Sequence, residues 1–274
     1  MQDANLKPNQ SKNFSYGKKI LKQLILTDFK LRYQGSILGY LWSLLRPVAL
    51  FAILYLVFGV LLKVGADIDN YASYLLFGIV VWNYFAEMTN TSLESVVEKG
   101  ELMRKIYFPR QVIVLASSAS ATINLILSLL VVGVLIVVEG GSFTNLWLAP
   151  LLFVELFVFS LGVSFLLSAL YVRYRDIKYV WELVLQAGFY ATPILYPMSF
   201  VIDQSPFLAK LLLLNPMAQI IQDLRFSIVS DQSVTLSALS SLPLSAIPLS
   251  IVGLTIIVGV WHFASRAEDF AEEA

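Results

Sequence analysis

Five apolar runs, each long enough to cross a lipid bilayer as a helix, dominate this chain: about 36–62, 71–95, 111–138, 147–171 and 246–264. A hydrocarbon core of about 30 Å takes roughly 20 such residues at 1.5 Å each. In lipid every backbone N–H and C=O must be satisfied within the spanning element, so these runs fold as helices. A sixth run, about 179–199, ends in "TPILYP", where Pro193 and Pro197 limit regular helix. A further stretch, "LAKLLLLNPMAQIIQDLRFSIV" (208–229), carries Lys210, Asp223 and Arg225 and breaks at Asn215-Pro216. That pattern suits a short broken helical pair that dips in from one surface behind a shield of protein. The expected fold is therefore all-α and integral to the membrane. It has six transmembrane helices, an N-terminal amphipathic interfacial helix, and an outer re-entrant pair at about 200–230 between spans five and six.

Orientation follows from lysine and arginine, because short cytoplasmic loops collect them. With the N-terminus inside, that side takes Lys7, Lys12, Lys18, Lys19, Lys22, Lys30 and Arg32 before span one. It also takes Lys99, Arg104, Lys105 and Arg110 after span two, Arg173, Arg175 and Lys178 after span four, and Arg266 at the end. The outside keeps Lys63, Lys210 and Arg225. Both termini are expected in the cytoplasm. The first 30 residues are polar and show no secretory signal, so the first span is expected to act as its own insertion signal. The absence of cysteine excludes a disulfide framework and a cysteine-built metal site.

Within this frame, residues 1–15 read as a flexible cytoplasmic N-terminus and 267–274 as a cytoplasmic tail, flanking a transmembrane domain over 36–266. The segment 16–34 reads as a helix along the membrane surface: Lys19, Gln23, Thr27 and Lys30 form a polar strip, while Ile20, Leu24 and Leu31 share another face. A simple basic flank that fixes topology is the alternative.

Arg46, Glu87 and Glu155 fall inside predicted spans, where an ionisable group is costly unless paired or hydrated. A hairpin about residues 66 and 67 would put Arg46 and Glu87 at equal depth, as an ion pair or as substrate contacts. Glu155 has no sequence-evident partner. Aromatic residues are frequent, with 18 Phe, 13 Tyr and 5 Trp. Deep ones (Tyr55, Phe58, Trp82, Tyr84, Phe85 and Tyr190) either pack in the core or, as a group, present rings and hydroxyls to a sugar on a polar path.

No G-x-x-x-x-G-K-[ST] loop occurs, so the chain is not expected to hydrolyse ATP itself. It shows no histidine/glutamate metal motif and no nucleophile elbow, so no catalytic or metal site is expected. Energy, if it comes from ATP, must enter through a cytoplasmic loop. The charged interruption "EKGELMRKIYFPR" (98–110) offers such a loop. A helix over 99–108 would bend at Gly100 and stop before Pro109. Leu102, Met103 and Ile106 would form its apolar side, with Arg104 and Lys105 in water and Tyr107 and Phe108 at its end. It either inserts in a groove on a soluble partner or only sets topology.

Taken in order, five stretches resemble the membrane permeases of type-2 ABC exporters of polysaccharide and teichoic acid. They are "LTDFKLRYQGSILGYLWSLLRPV" (26–48), "YLLFGIVVWNYF" (74–85), "KGELMRKIYFPR" (99–110), "YVRYRDIKYVWELVLQAGFYATPILYP" (171–197) and "LLLLNPMAQIIQDLR" (211–225). The resemblance covers roughly 16–266. It implies a bacterial cytoplasmic-membrane homodimer joined to two copies of a separate ATPase that binds ATP and Mg. No cofactor would be bound by this chain, and no nucleic acid is involved. Residues 99–108 would be the coupling helix and 200–230 would narrow the outer exit. Aromatics would guide an undecaprenyl-linked glycan or polyol-phosphate polymer. A small-molecule or lipid exporter shares the six-span plan, but the interfacial helix and the "YFPR" loop favour the glycan branch. An ion-coupled transporter would instead show breaks and converging charges near mid-membrane.

Overall fold

Helices and turns account for all the described secondary structure of the computed structural model, which describes residues 10–33, 39, 41–66, 68, 70–106, 108–140, 145–239, 242–267 and 270. The chain runs α1 (Gln10–Tyr33), α2 (Leu41–Leu54) continued as a π-helix over Tyr55–Leu61, α3 (Tyr71–Glu98), the short α4 (Gly100–Lys105) and α5 (Gln111–Val138). A single 3₁₀ turn then leads into α6 (Ala149–Arg173), followed by α7 (Ile177–Ala191), α8 (Met198–Gln204), α9 (Pro206–Leu213), α10 (Pro216–Ile228), α11 (Leu236–Leu239) and α12 (Leu242–Arg266).

Four of these helices are long and apolar enough to cross a membrane by length and composition: Leu41–Leu61, Gln111–Val138, Leu146–Arg173 and Leu244–Arg266. The other two expected spans fail that measure for different physical reasons. α3 has 28 residues but is diluted by Tyr71, Tyr74, Trp82, Asn83, Tyr84 and Glu87. It is the central helix, buried along most of its length against α2, α5, α6, α7 and α10, so its surface answers to protein and not to lipid. α7 has 15 helical residues, a rise of about 22 Å, and the expected proline interruption ends it at Ala191. Its path continues through the irregular segment 192–197.

The main core surrounds α3, with Phe77, Val81, Met88, Leu156, Ile194, Ile220 and Leu224 fully enclosed. A second cluster lies at the basic end of the bundle and joins Leu24 of α1, Met103, Phe108, Val114 of α5, Phe165 of α6, Phe263 of α12 and Phe270. The segment read as a cytoplasmic tail is therefore anchored at Phe270, which is 1% exposed and stacks edge-on to Phe263 at 4.9 Å. A third, small cluster holds α8, α9 and α11 together around Met198, Leu213 and Leu236. The expected break at Asn215-Pro216 is present: the Asn215 side chain accepts from the Met217 N–H, capping α10 with proline in its first turn.

α6 and α12 approach to backbone contact. A Cβ on Gly162 would lie 2.7 Å from the Ile256 nitrogen, and one on Gly259 would lie 2.2 Å from the Gly162 carbonyl oxygen. Small residues let membrane helices approach to backbone contact, where dispersion and polar contacts replace the hydrophobic effect.

The hairpin register differs from the one expected. The π-helical stretch and the left-handed Lys63 (φ 53°) move the turn towards the N-terminus. Tyr55 stacks on Tyr71 at 6.3 Å, and Pro47 and Val48 share a small crevice with Leu76 and Val80. Arg46 therefore lies alongside the stretch near Val80, about two turns of α3 from Glu87. It is exposed, and Arg46–Glu87 is not among the ion pairs of the described residues. Glu87 accepts a hydrogen bond from Asn124 Nδ2 at 2.6 Å.

Candidate functional site

At the basic end, α1 lies along α5 with its polar residues Lys19, Gln23, Thr27 and Lys30 exposed and Ile20, Leu21, Leu24 and Ile25 packed inward. Leu31 lies outside the residues whose side chains are described. Lys99 Nζ meets Asp28 Oδ2 at 2.6 Å, tying α1 to the junction of α3 and α4. Both side chains are half-buried, which limits screening by water. Asp28→Lys or Lys99→Asp alone should lower the melting temperature of the detergent-solubilised protein. The double reversal should recover a coupling of about 1 kcal/mol.

The helix expected over 99–108 is shorter, six residues from Gly100 to Lys105, because Ile106 turns to extended backbone at φ −135°. Its apolar residues also divide. Met103 and Phe108 are buried and Leu102 packs beside them in the second cluster, whereas Ile106 is 40% exposed. The outward surface is thus Glu101, Arg104, Lys105 and Ile106. Tyr107 lies outside the described residues.

α7 presents a different surface. It is held to α3 by the Lys178–Glu94 ion pair and by Trp181 Nε1 donating to Thr89 Oγ1 at 3.0 Å. At Gly188 the absent side chain admits Trp82, whose ring edge would be 2.7 Å from a Cβ. Leu185 is its single buried residue. On the exposed side, Tyr179, Glu182, Gln186 and Tyr190 fall within about 80° of one another at 100° per residue. Hydrocarbon does not accommodate a carboxylate and an amide on an exposed helix face, so this stripe faces water or protein. Sequence reading passed over Glu182 and Gln186, although their spacing of four between two tyrosines was visible.

The six aromatics singled out from sequence separate. Trp82, Tyr84 and Phe85 are buried. Trp82 and Phe85 form a ring cluster with Phe159, Trp181 and Phe189, and Tyr84 lies 3.3 Å from the Thr122 hydroxyl. Phe58 is partly buried against the core. Tyr55 and Tyr190 are exposed, 36% and 61%.

Opposite the basic end is a knot that sequence reading did not foresee. Arg225, counted above as an outside charge, is fully buried. Its guanidinium donates to the carbonyl oxygens of Tyr74 (Nη2, 2.9 Å), Pro193 (Nη1, 2.6 Å) and Ile194 (Nη2, 3.1 Å), and Nε also donates to Tyr74 O at 3.1 Å. It lies 3.4 Å over the Tyr74 ring. The space comes from Gly78, where a Cβ would meet Nη2 at 2.2 Å. Tyr71 adds a second tie, donating its hydroxyl to Leu195 O at 2.7 Å. Together these side chains supply donors to the carbonyls of 193–195, the proline-interrupted turn after α7 that has no helix to satisfy it. Glu139 caps the start of α3 by accepting from the Ser73 N–H and hydroxyl. On the adjoining face of α10, Gln219 donates to Asp223, and the nearby Glu155 keeps one buried carboxylate oxygen unpartnered among the described residues.

A model of the ABC-2 type transporter family matches residues 20–229, from α1 to the end of α10. The chain is similar to the O-antigen export system permease protein RfbA of Klebsiella pneumoniae, 31% identical over 211 residues, 76% of this chain and 80% of the relative. A protein of the same name from Myxococcus xanthus is 30% identical over 202 residues, 73% and 76% of the two chains. The polysialic acid transport protein KpsM of Escherichia coli is 21% identical over 262 residues, 93% and 96% of the two chains. By this match and by its apolar helices, the chain is a membrane-embedded member of the ABC-2 type transporter family.

Proposed function

We propose that this chain is the transmembrane subunit of an ATP-driven exporter that moves an undecaprenyl-linked cell-surface glycan, either O-antigen, teichoic acid or a related polysaccharide, across the bacterial cytoplasmic membrane. It acts as a homodimer with two copies of a cytoplasmic ATPase, which bind ATP and Mg. α2, α3, α5, α6, α7 and α12 are the six spans, with both termini in the cytoplasm, and α8 to α10 are the re-entrant outer element. The names of the relatives support the glycan. The single observation that carries a hydrated path is the exposed Tyr179, Glu182, Gln186 and Tyr190 stripe of α7. In the homodimer this stripe and Tyr55 wall the path, while the buried Trp82, Tyr84 and Phe85 stiffen the wall from behind. Glu182→Leu with Gln186→Leu should leave complex assembly intact and cut surface glycan at least tenfold. Normal surface glycan in that variant overturns the path.

The outward surface of α4 seats on the ATPase. Ile106→Asp should weaken copurification of the ATPase or uncouple its hydrolysis from export, with the melting temperature unchanged because Ile106 is exposed. Copurification and hydrolysis rates equal to those of the unmutated complex would remove the coupling role.

A further inference from the structure

α6 and α12 run in the same direction from their Gly162/Gly259 crossing, past the Phe165–Phe263 contact, to their last residues, Arg173 and Arg266. Between these ends lies a cleft whose polar lining is Arg173, Tyr174, His262 and Arg266. Its apolar wall includes Ala169 and Phe270. Phe270 closes the inner side, held through Phe263 to Phe165 by ring contacts of 4.9 and 5.1 Å. Partial negative charge at two helix C-termini accounts for arginine being stable there. It does not account for two guanidinium groups and an imidazole converging on an open cleft with an apolar back. Neither arginine joins an ion pair among the described residues, and Arg173 sits 5.6 Å over the Tyr174 ring.

Guanidinium forks match phosphate oxygens in geometry and charge, and an apolar wall beside them suits a ligand with an acyl chain. Basic pockets between membrane helices on the cytoplasmic side are placed to take anionic headgroups. We propose that this cleft binds the phosphate headgroup of an anionic phospholipid of the inner leaflet. Arg173 and Arg266 hold the phosphate, His262 supplies a further hydrogen-bond donor, and the glycerol and acyl region lies against Phe270. The leaflet rests on the topology proposed above; the ligand chemistry does not.

The test is native mass spectrometry of the delipidated full-length protein offered phosphatidylglycerol or phosphatidylcholine. The unmutated protein should retain phosphatidylglycerol at least tenfold in preference, and Arg173→Gln with Arg266→Gln should bring the preference close to parity. Lys19→Gln with Lys22→Gln, exposed on α1, should leave it unchanged. Equal retention of the two lipids by the unmutated protein, or an undiminished preference in the arginine double variant, overturns the site. Arg173→Gln alone, on an exposed side chain that poses no threat to folding, should lower the preference about threefold, and no change overturns the site as well. The sequence around Phe270 is acidic, with Glu268, Asp269, Glu272 and Glu273. Neutralising these four should not alter the preference. Lipid binding seen only after their neutralisation would give the cleft to the tail and overturn the proposal. The chain has no cysteine, so Ser265→Cys reports the leaflet separately. An impermeant maleimide should not label it in intact cells, and labelling from outside overturns the inner-leaflet reading while leaving the phosphate preference standing.

Discussion

Arg225→Met should destabilise the protein by about 3 kcal/mol or more, because it strips a charged donor from three buried carbonyls. The melting temperature in detergent measures the loss. Methionine fills the volume and keeps the site dry, so the change isolates the hydrogen bonds from the packing. Arg225→Lys should recover little of it, since a single ammonium on a flexible stem cannot span oxygens of two separate segments as a planar fork does. Gly78→Ala should produce nearly the same loss, because the new methyl would fall 2.2 Å from Nη2. The decisive measurement is the combination. In the Arg225→Met background the flexible side chain can yield, and Gly78→Ala should then cost less than half of what it costs alone. Additive losses would mean that Gly78 serves some contact other than the guanidinium.

Gly259→Val should be the most damaging change at a helix crossing. Its Cβ would fall 2.2 Å from the Gly162 carbonyl oxygen, which is backbone and cannot rotate away, so α6 and α12 must separate. Overpacking costs about 1–3 kcal/mol where neighbouring side chains can shift, and a backbone neighbour puts this substitution at or beyond the upper end. Loss of the folded fraction on size-exclusion chromatography is the expected readout. Gly253→Ala, on the same helix with open space around it, should be tolerated, which separates helix propensity from contact. Wild-type folding of Gly259→Val would mean that α6 and α12 do not meet at this point.

What could be read from the chain and what could not divide along physical lines. Apolar length located α2, α5, α6 and α12, because lipid imposes the same demand at every position it touches. α3 was placed by its apolar run although its composition is less apolar than the others, since its neighbours are protein. The break at Asn215-Pro216 was legible because capping chemistry is local. Placing Arg46 opposite Glu87 assumed a turn about residues 66 and 67, and local sequence does not reveal that Tyr55 instead stacks on Tyr71 and Pro47 lies by Leu76 and Val80. The Arg225 knot was beyond reach for a related reason, as it joins positions 151 apart in the chain. The sequence carries its parts, an odd arginine, a glycine inside an apolar helix and two prolines, with nothing to say that they meet. In the 99–108 segment the apolar residues were legible, but their assignment to one side required knowing that α1 and α5 already claim Met103 and Phe108.

The brevity of α4 has a mechanical meaning. Six residues clamped on both sides, by the Lys99–Asp28 tie at one end and by Phe108 at the other, leave no slack for bending. If the ATPase seats on α4 as proposed, a load at Ile106 would pass to α1, α3 and α5 together, as torque on a stiff lever.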